Sequence, residues 1–396
     1  MKQKKKIRIL TKKRQIVFLG IAGFVLLMNL LAWCSRTFSD AYIAYIFPLW
    51  VQTYGRFTGL FPFSVGECLI AAGLLLVFAA VCIGLAFAVY HKPSRFRNFV
   101  GKFYAFFAWV LLGIWLVMTL NCVILYHAST FAQKYFGEDS GDYTLEELFT
   151  VRNYVAEQCN LLAAQMERDD AGRVSYQGSV SASGGAADMR DKSGEVMQNL
   201  GASYSRLKGY YPRPKPLFCS DFMCQQYMQG YFFPFSMEAN YNDVMMDLNK
   251  PATMCHELAH LKGFIYEDEA SFISYLACIQ SDDLYFQYSG YLSVLTYLEN
   301  DLYRISKSSP EAFSRTRESV GLVEVSSVVW QDDIFVEQEE WERINQKALV
   351  DTETVNQVTD TFLDANLKIH GVSDGAISYT RVVTLLLQYY RTQQAF

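Results

Sequence analysis

The sequence predicts a mainly α protein: three N-terminal transmembrane helices followed by a mostly helical extracytoplasmic domain with a small β element. Three observations carry that expectation. Hydrophobic residues make up 51% of the 396 positions and charged residues only 19%, a composition that argues against disorder. Three charge-poor apolar stretches, at about 16–33, 66–90 and 103–127, each approach the roughly 20 residues that cross a bilayer as helix. Before His127, the many Lys and Arg side chains face only Asp40 and Glu67, yet the whole chain carries a formal net charge of −5, so the remainder is acidic. A basic, apolar front end on an acidic body argues against nucleic acid and makes the lipid bilayer the first partner.

The basic clusters set the orientation. Lys2 to Arg14 precede the first stretch, and Lys92 to Lys102 separate the second from the third. Both belong on the cytoplasmic side, because Lys and Arg mark the inner face. The expectation is a multi-pass protein of the cell membrane with a cytoplasmic N-terminus and an outer loop from Cys34 to Val65. Residues 1–127 then form a membrane domain and 128–396 an extracytoplasmic domain. The outer loop is rich in aromatics, among them Tyr42, Phe47, Trp50 and Phe57, which suits a segment lying along the interface. Trp33 in Leu31-Ala32-Trp33-Cys34 occupies a place where processing needs a small residue, so the first stretch reads as an uncleaved anchor. Of the cysteines beyond the spans, only Cys219 and Cys224 stand close enough in sequence to suggest a pair in an oxidising exterior.

The outer domain reads as helical. Thr144 with Glu147 three residues on is a capping box, followed by apolar residues at helical spacing from Leu145 to Met166. Gly172 to Gly194 is rich in Gly, Ser and Ala and reads as a surface loop. Helices are expected over 196–207, 282–305, a short run opened by Ser309-Pro310, 334–349, 352–369 and 375–391. The stretch 211–216 is Pro-studded and extended. Gly230 to Phe235 is the best strand, restricted by Pro234 to an edge or a bend.

The chemistry concentrates at Met254-Cys255-His256-Glu257-Leu258-Ala259-His260-Leu261, which contains HExxH. Residues four apart share a helix face, so His256 and His260 offer two imidazoles to one ion while Glu257 points to the ligand position beside it. Leu258, Ala259 and Leu261 suit a buried helix, with Pro251 near its start and Gly263 at its end; Lys262 stands where an apolar residue is usual. A third ligand is sought among the acids that follow. Glu267-Asp268-Glu269 opens a second helix, on which Glu269 shares a face with Phe272, Ile273 and Leu276, and Glu267 with Ala270, Ser271 and Ser274. A carboxylate on an apolar face needs a partner, so Glu269 is the expected third ligand, with Glu267 the alternative. Two His and one Glu leave a position for water, the arrangement of catalytic Zn2+. Glu257 is then the general base of peptide hydrolysis.

HELAH followed by a helix-borne Glu resembles the gluzincin metallopeptidases, in which two His and one Glu hold zinc. The three spans, the stretch Tyr231 to Asn240, HELAH, Glu267 to Phe272 and Ser378-Tyr379-Thr380-Arg381-Val382-Val383 together look like an uncharacterised bacterial domain-of-unknown-function family of membrane proteins. The resemblance implies a zincin-like outer domain and delivers no substrate; the catalytic reading of the site expects a peptide or protein substrate, with Tyr379 and Arg381, from the stretch that matches the family, as candidate catalytic residues at the oxyanion. Glu238 and Asn240 would orient ligands from behind, with surface caps an equal alternative. The competing class is a non-enzymatic membrane-anchored sensor or scaffold that keeps the fold to bind a peptide or wall component, against which the intact Glu257 argues. A transport role finds no ionisable residue in the middle of the spans.

Overall fold

A computed structural model describes residues 12–89, 94–137, 143–176, 188–369 and 381–393. It is 73% helical and 4% strand. Among the described residues, three helices are long and apolar enough to cross a membrane: Lys12–Cys34, Val65–Val89, and a longer apolar run, Arg95–Tyr126. The third differs most from expectation. It begins as a helix at Ser94, passes through a π-helical turn at Thr119–Val123 and ends at Tyr126. Asn29 of the first helix donates to Thr119 Oγ1 at 2.8 Å and fastens the two helices at that turn. Leu74, Leu75 and Phe78 of the second helix are each more than two-thirds exposed, an apolar surface suited to the hydrocarbon of a bilayer.

The loop between the first two helices is itself helical, with Arg36–Tyr45 capped by Ser35, then Phe47–Trp50, a π turn at Val51–Gly55, and Arg56–Thr58. It faces two ways. Tyr42, Ile43 and Phe47 are buried in the main core, whereas Tyr45 and Phe57 are exposed. That core runs without a break across residue 127, joining Ala32, Phe47 and Ile124 to Phe131, Phe264, Phe272 and Tyr390.

The Thr144 capping box is formed in both directions and opens the helix Leu145–Ala163. The next helix is Met189–Leu200, seven residues earlier than the expected start, because Asp188 caps it by accepting from the Arg190 amide. Leu284–Ser308, Pro310–Val320, Gln338–Lys347, Thr352–Ile369 and Arg381–Thr392 follow close to expectation. Three short helices, Phe131–Tyr135, Ser220–Gln225 and Ser327–Asp332, carried too few turns to show a period. The strand at Gly230 is confirmed as β2 (Gly230–Phe233) in a three-stranded sheet with β1 (Lys215–Pro216) and β3 (Glu238–Tyr241). The order is β1-β3-β2, with β2 antiparallel and β1 parallel to β3. Phe232 pairs with Ala239 and Phe233 with Glu238, and among the described residues the far side of β2 is a sheet edge.

The suggested Cys219–Cys224 pair is not formed. Both thiols are free: Cys219 is exposed, and Cys224 is buried on the inner side of its helix, where Asn242 Nδ2 lies 3.1 Å from its sulfur.

Candidate metal centre

The HExxH segment lies on the helix Lys250–His260, which starts with Pro251 in its first turn. Gly263 reverses the chain with φ +83°, a conformation that favours glycine. The helix Glu267–Ile279 then returns along the first. Arg206 pins this reversal. Its guanidinium donates to the carbonyls of Lys262, Gly263 and Ser129 and stacks 4.0 Å over the Phe264 ring. Lys262, the residue out of pattern, is occupied likewise: its ammonium donates to the carbonyls of Lys208 and Tyr210 and sits over the Tyr211 ring. Burial brings its pKa down to about 8.

Three ligand atoms converge between the two helices. His256 Nε2 and His260 Nε2 are 3.2 Å apart, and Glu267 Oε2 is 2.9 Å from the first and 3.8 Å from the second. Both imidazoles are held by their other nitrogen, His260 Nδ1 at 2.7 Å from the Phe264 carbonyl and His256 Nδ1 at 3.2 Å from Ser271 Oγ. That is the support that fixes a ring and its tautomer at metal sites. Among the described residues, this is the one group of His, Cys, Asp and Glu side chains with metal-holding geometry.

The electrostatics follow from burial and from Glu267. Burial drives His260 down to about 4. For His256 the burial effect is larger than any other single influence, but the hydrogen bond and charge of Glu267 together with the charge of Glu257 outweigh it, and the net shift is upward. Glu267 is likewise opposed by burial, yet the two imidazoles bring it down to about 2.

Glu269 does not join the histidines, which corrects the expectation for the third ligand. Two residues along a helix rotate a side chain by about 200°, and the face turned to the HExxH helix is the one that carries Glu267 and Ser271. Glu269 points the other way, is buried, and accepts from the Phe131 amide. Burial and the neighbouring Asp268 push it up to about 8. Arg381 opens the last described helix, and its positive charge acts on Asp268 and Glu269 rather than on the histidine pair. Tyr379 lies outside the described residues.

Glu257 is buried beside the cluster, and its Oε2 has no hydrogen-bond partner among the described residues. Burial pushes it up to about 8, against the pull of His256. No local pattern along the chain marks what lies against it. A Cβ at Gly230 would stand 2.8 Å from Glu257 Oε1, from the Asn240 carbonyl and from Thr253 Cγ2, so glycine at the start of β2 is what lets the strand pass this close. Phe232 of the same strand lies 5.9 Å, ring to ring, from His260. Glu238 and Asn240 do not support the imidazoles. Glu238 accepts from Ser236 and pairs with Lys215, and Asn240 donates to the Tyr231 carbonyl.

The donor set suits a zinc ion on geometric grounds. Ligands at about 2.05 Å in a tetrahedron stand about 3.3 Å apart, and the three separations bracket that value. No curated protein and no solved structure matches the chain. A profile described as a protein of unknown function, DUF3810, matches residues 42–387, and the chain belongs to that family.

Proposed function

We propose that this chain is a membrane-anchored, zinc-dependent metallopeptidase of the HExxH type, hydrolysing peptide bonds outside the cytoplasm. The observation that carries the reading is the convergence of His256 Nε2, His260 Nε2 and Glu267 Oε2, all within 4.8 Å of one another, with the buried Glu257 alongside. His256, His260 and Glu267 would hold the ion, with Ser271 and the Phe264 carbonyl aiming the rings. Zinc, when bound, supplies an acidified water and a positive charge for the developing oxyanion. Glu257 accepts the proton of that water and returns it to the leaving amine. A dication beside it favours its charged form, opposing the effect of burial. The open edge of β2 offers backbone N–H and C=O groups on which an extended peptide can pair, and it begins at Gly230, against Glu257. The outward placement of the centre rests on the basic clusters at the N-terminus and between the second and third helices.

The test uses purified full-length protein. Metal analysis is expected to find about one zinc per chain, lost in His256→Ala and His260→Ala variants. Glu257→Gln is expected to keep the zinc and lose at least about 100-fold in cleavage of a mixed-sequence quenched peptide library. Zinc retention with unchanged cleavage would mean that another residue is the base. A wild-type protein that binds zinc and cleaves nothing would favour the non-enzymatic scaffold.

A further inference from the structure

We infer that the substrates are polypeptides themselves held in the membrane, cut close to the bilayer surface; the inference rests on the peptidase reading above and adds the substrate class. Its basis is how the candidate centre is tied to the outer ends of the apolar helices, which three separate contacts define.

The first tie is to the second apolar helix. Glu238 of β3 accepts from the amides of Val65 and Gly66, at 3.2 and 2.8 Å, and so caps that helix from across the fold. A carboxylate there is favoured by the unpaired amides and by the helix dipole. Lys215 of β1 completes the joint, donating to Glu238 and to the carbonyls of Thr58 and Phe63. Gly66 is needed for the fit, since a Cβ there would lie 2.7 Å from the Phe233 ring of β2.

The second tie is to the third apolar helix. Asn121, in its π turn, donates to the Pro234 carbonyl just beyond β2. Asn121 precedes Tyr126 by five residues, about 7 Å along a helix, so the end of β2 reaches below the outer terminus of that helix. The third tie holds the metal side: the Tyr266 hydroxyl donates to the Tyr126 carbonyl at 2.7 Å, and Glu267 is the next residue.

These contacts bound the height of the centre. From Gly230, against Glu257, to Phe233, against Gly66, is three strand residues, about 10 Å. Adding the short steps from Gly230 to the carboxylate and from Phe233 to Gly66 places Glu257 within about 20 Å of the first turn of the second apolar helix, whatever the tilt of the strand. An extended chain covers that distance in about six residues. A separate observation puts the same side of the domain into the interface. Glu67, in that first turn, accepts from the amides of Phe218 and Cys219. The Phe218 side chain is 78% exposed, and Phe222, four residues on, is 53% exposed. Exposed Phe side chains fixed at the outer end of a span are covered favourably at the boundary between headgroups and acyl chains. A folded soluble protein would have to bring a loop against lipid to reach such a centre. A segment emerging from the same bilayer arrives there at a high effective concentration.

Two measurements test this. Membranes from cells carrying the wild-type chain or Glu257→Gln are compared by mass spectrometry of protein N-termini. Termini that depend on Glu257 are expected to fall within about ten residues of a membrane-spanning segment or a lipid-modified residue. Glu257-dependent termini spread through soluble proteins would overturn the inference and leave the peptidase standing, whereas no such termini at all would remove both. In the second measurement, the full chain in phosphatidylethanolamine/phosphatidylglycerol vesicles is given a mixed-sequence quenched peptide library with or without an N-terminal palmitoyl group. The acylated library is expected to turn over at least about tenfold faster, with the advantage lost in detergent. Equal rates on vesicles would sink the membrane-held substrate class alone.

Discussion

Which acid completes the centre is decided by comparing Glu267→Ala with Glu269→Gln. Glu267 Oε2 lies 2.9 and 3.8 Å from the two imidazole nitrogens, while Glu269 is engaged by the Phe131 amide on the opposite side of its helix. Losing a supporting partner of a metal ligand typically costs about 10–100-fold in affinity. Removing a donor itself is expected to reach at least the upper end, about 100-fold or about 2.7 kcal/mol. Ser271→Ala, which frees His256 Nδ1, should fall inside the 10–100-fold range. Glu269→Gln should change affinity by less than about threefold, because the amide oxygen still accepts from Phe131 and the acid it replaces, with its pKa at about 8, is largely neutral at pH 7. The assay is a zinc titration of the purified full chain against a chelating chromophore of known affinity, with the thermal midpoint as a folding control. Zinc lost in Glu269→Gln and kept in Glu267→Ala would refute the assignment.

Gly230→Ala should retain zinc and lose about 100-fold in cleavage, since the added Cβ meets Glu257 Oε1 at 2.8 Å and displacements near 1 Å carry costs of that order; unchanged turnover would show that Glu257 is not held by this contact. Lys215→Met strands the buried Glu238 carboxylate and should destabilise the protein by about 3–5 kcal/mol, read as a fall in the thermal midpoint in detergent, and Lys215→Met with Glu238→Gln should recover part of it. Glu147 is brought down to about 2, chiefly by its hydrogen bonds with Arg391 and against the opposing effect of burial. A depressed carboxylate stabilises the fold above its unfolded pKa and loses that contribution as pH falls through the folded value. Wild type should therefore exceed Glu147→Gln by about 1 kcal/mol at pH 6, after allowance for solvent screening, and the two should converge as pH drops from about 4.5 to 2; a gap independent of pH would point to the Thr144 cap instead.

The parts of this protein legible in its sequence are those that depend on near neighbours along the chain. Long charge-free runs have one favourable solvent, so the three apolar helices are found within a few residues at most ends, and the third departs only where charged Arg95, Arg97 and Lys102 extend it. The spacing of His256 and His260 puts them on one face of any helix, and the structure brings their Nε2 atoms to 3.2 Å. The Thr144 cap is equally local. By contrast, Glu267 and Glu269 are both plausible when read from periodicity. Only the rotational setting of the second helix against the first turns 267 and 271 inward and leaves Glu269 to Phe131, 138 residues away in sequence. The Glu238 cap on Gly66 acts across a still longer separation, 172 residues, and the contacts of Arg206 with Lys262 and of Gly230 with Glu257, though nearer in sequence, also join separate elements. Local pattern determined which residues could hold an ion and which segments seek lipid. The packing of distant segments decided which acid faces the two imidazoles, what lies against Glu257, and how the cluster is tied to the ends of the apolar helices, because each depends on the orientation of whole elements that no short window of sequence encodes.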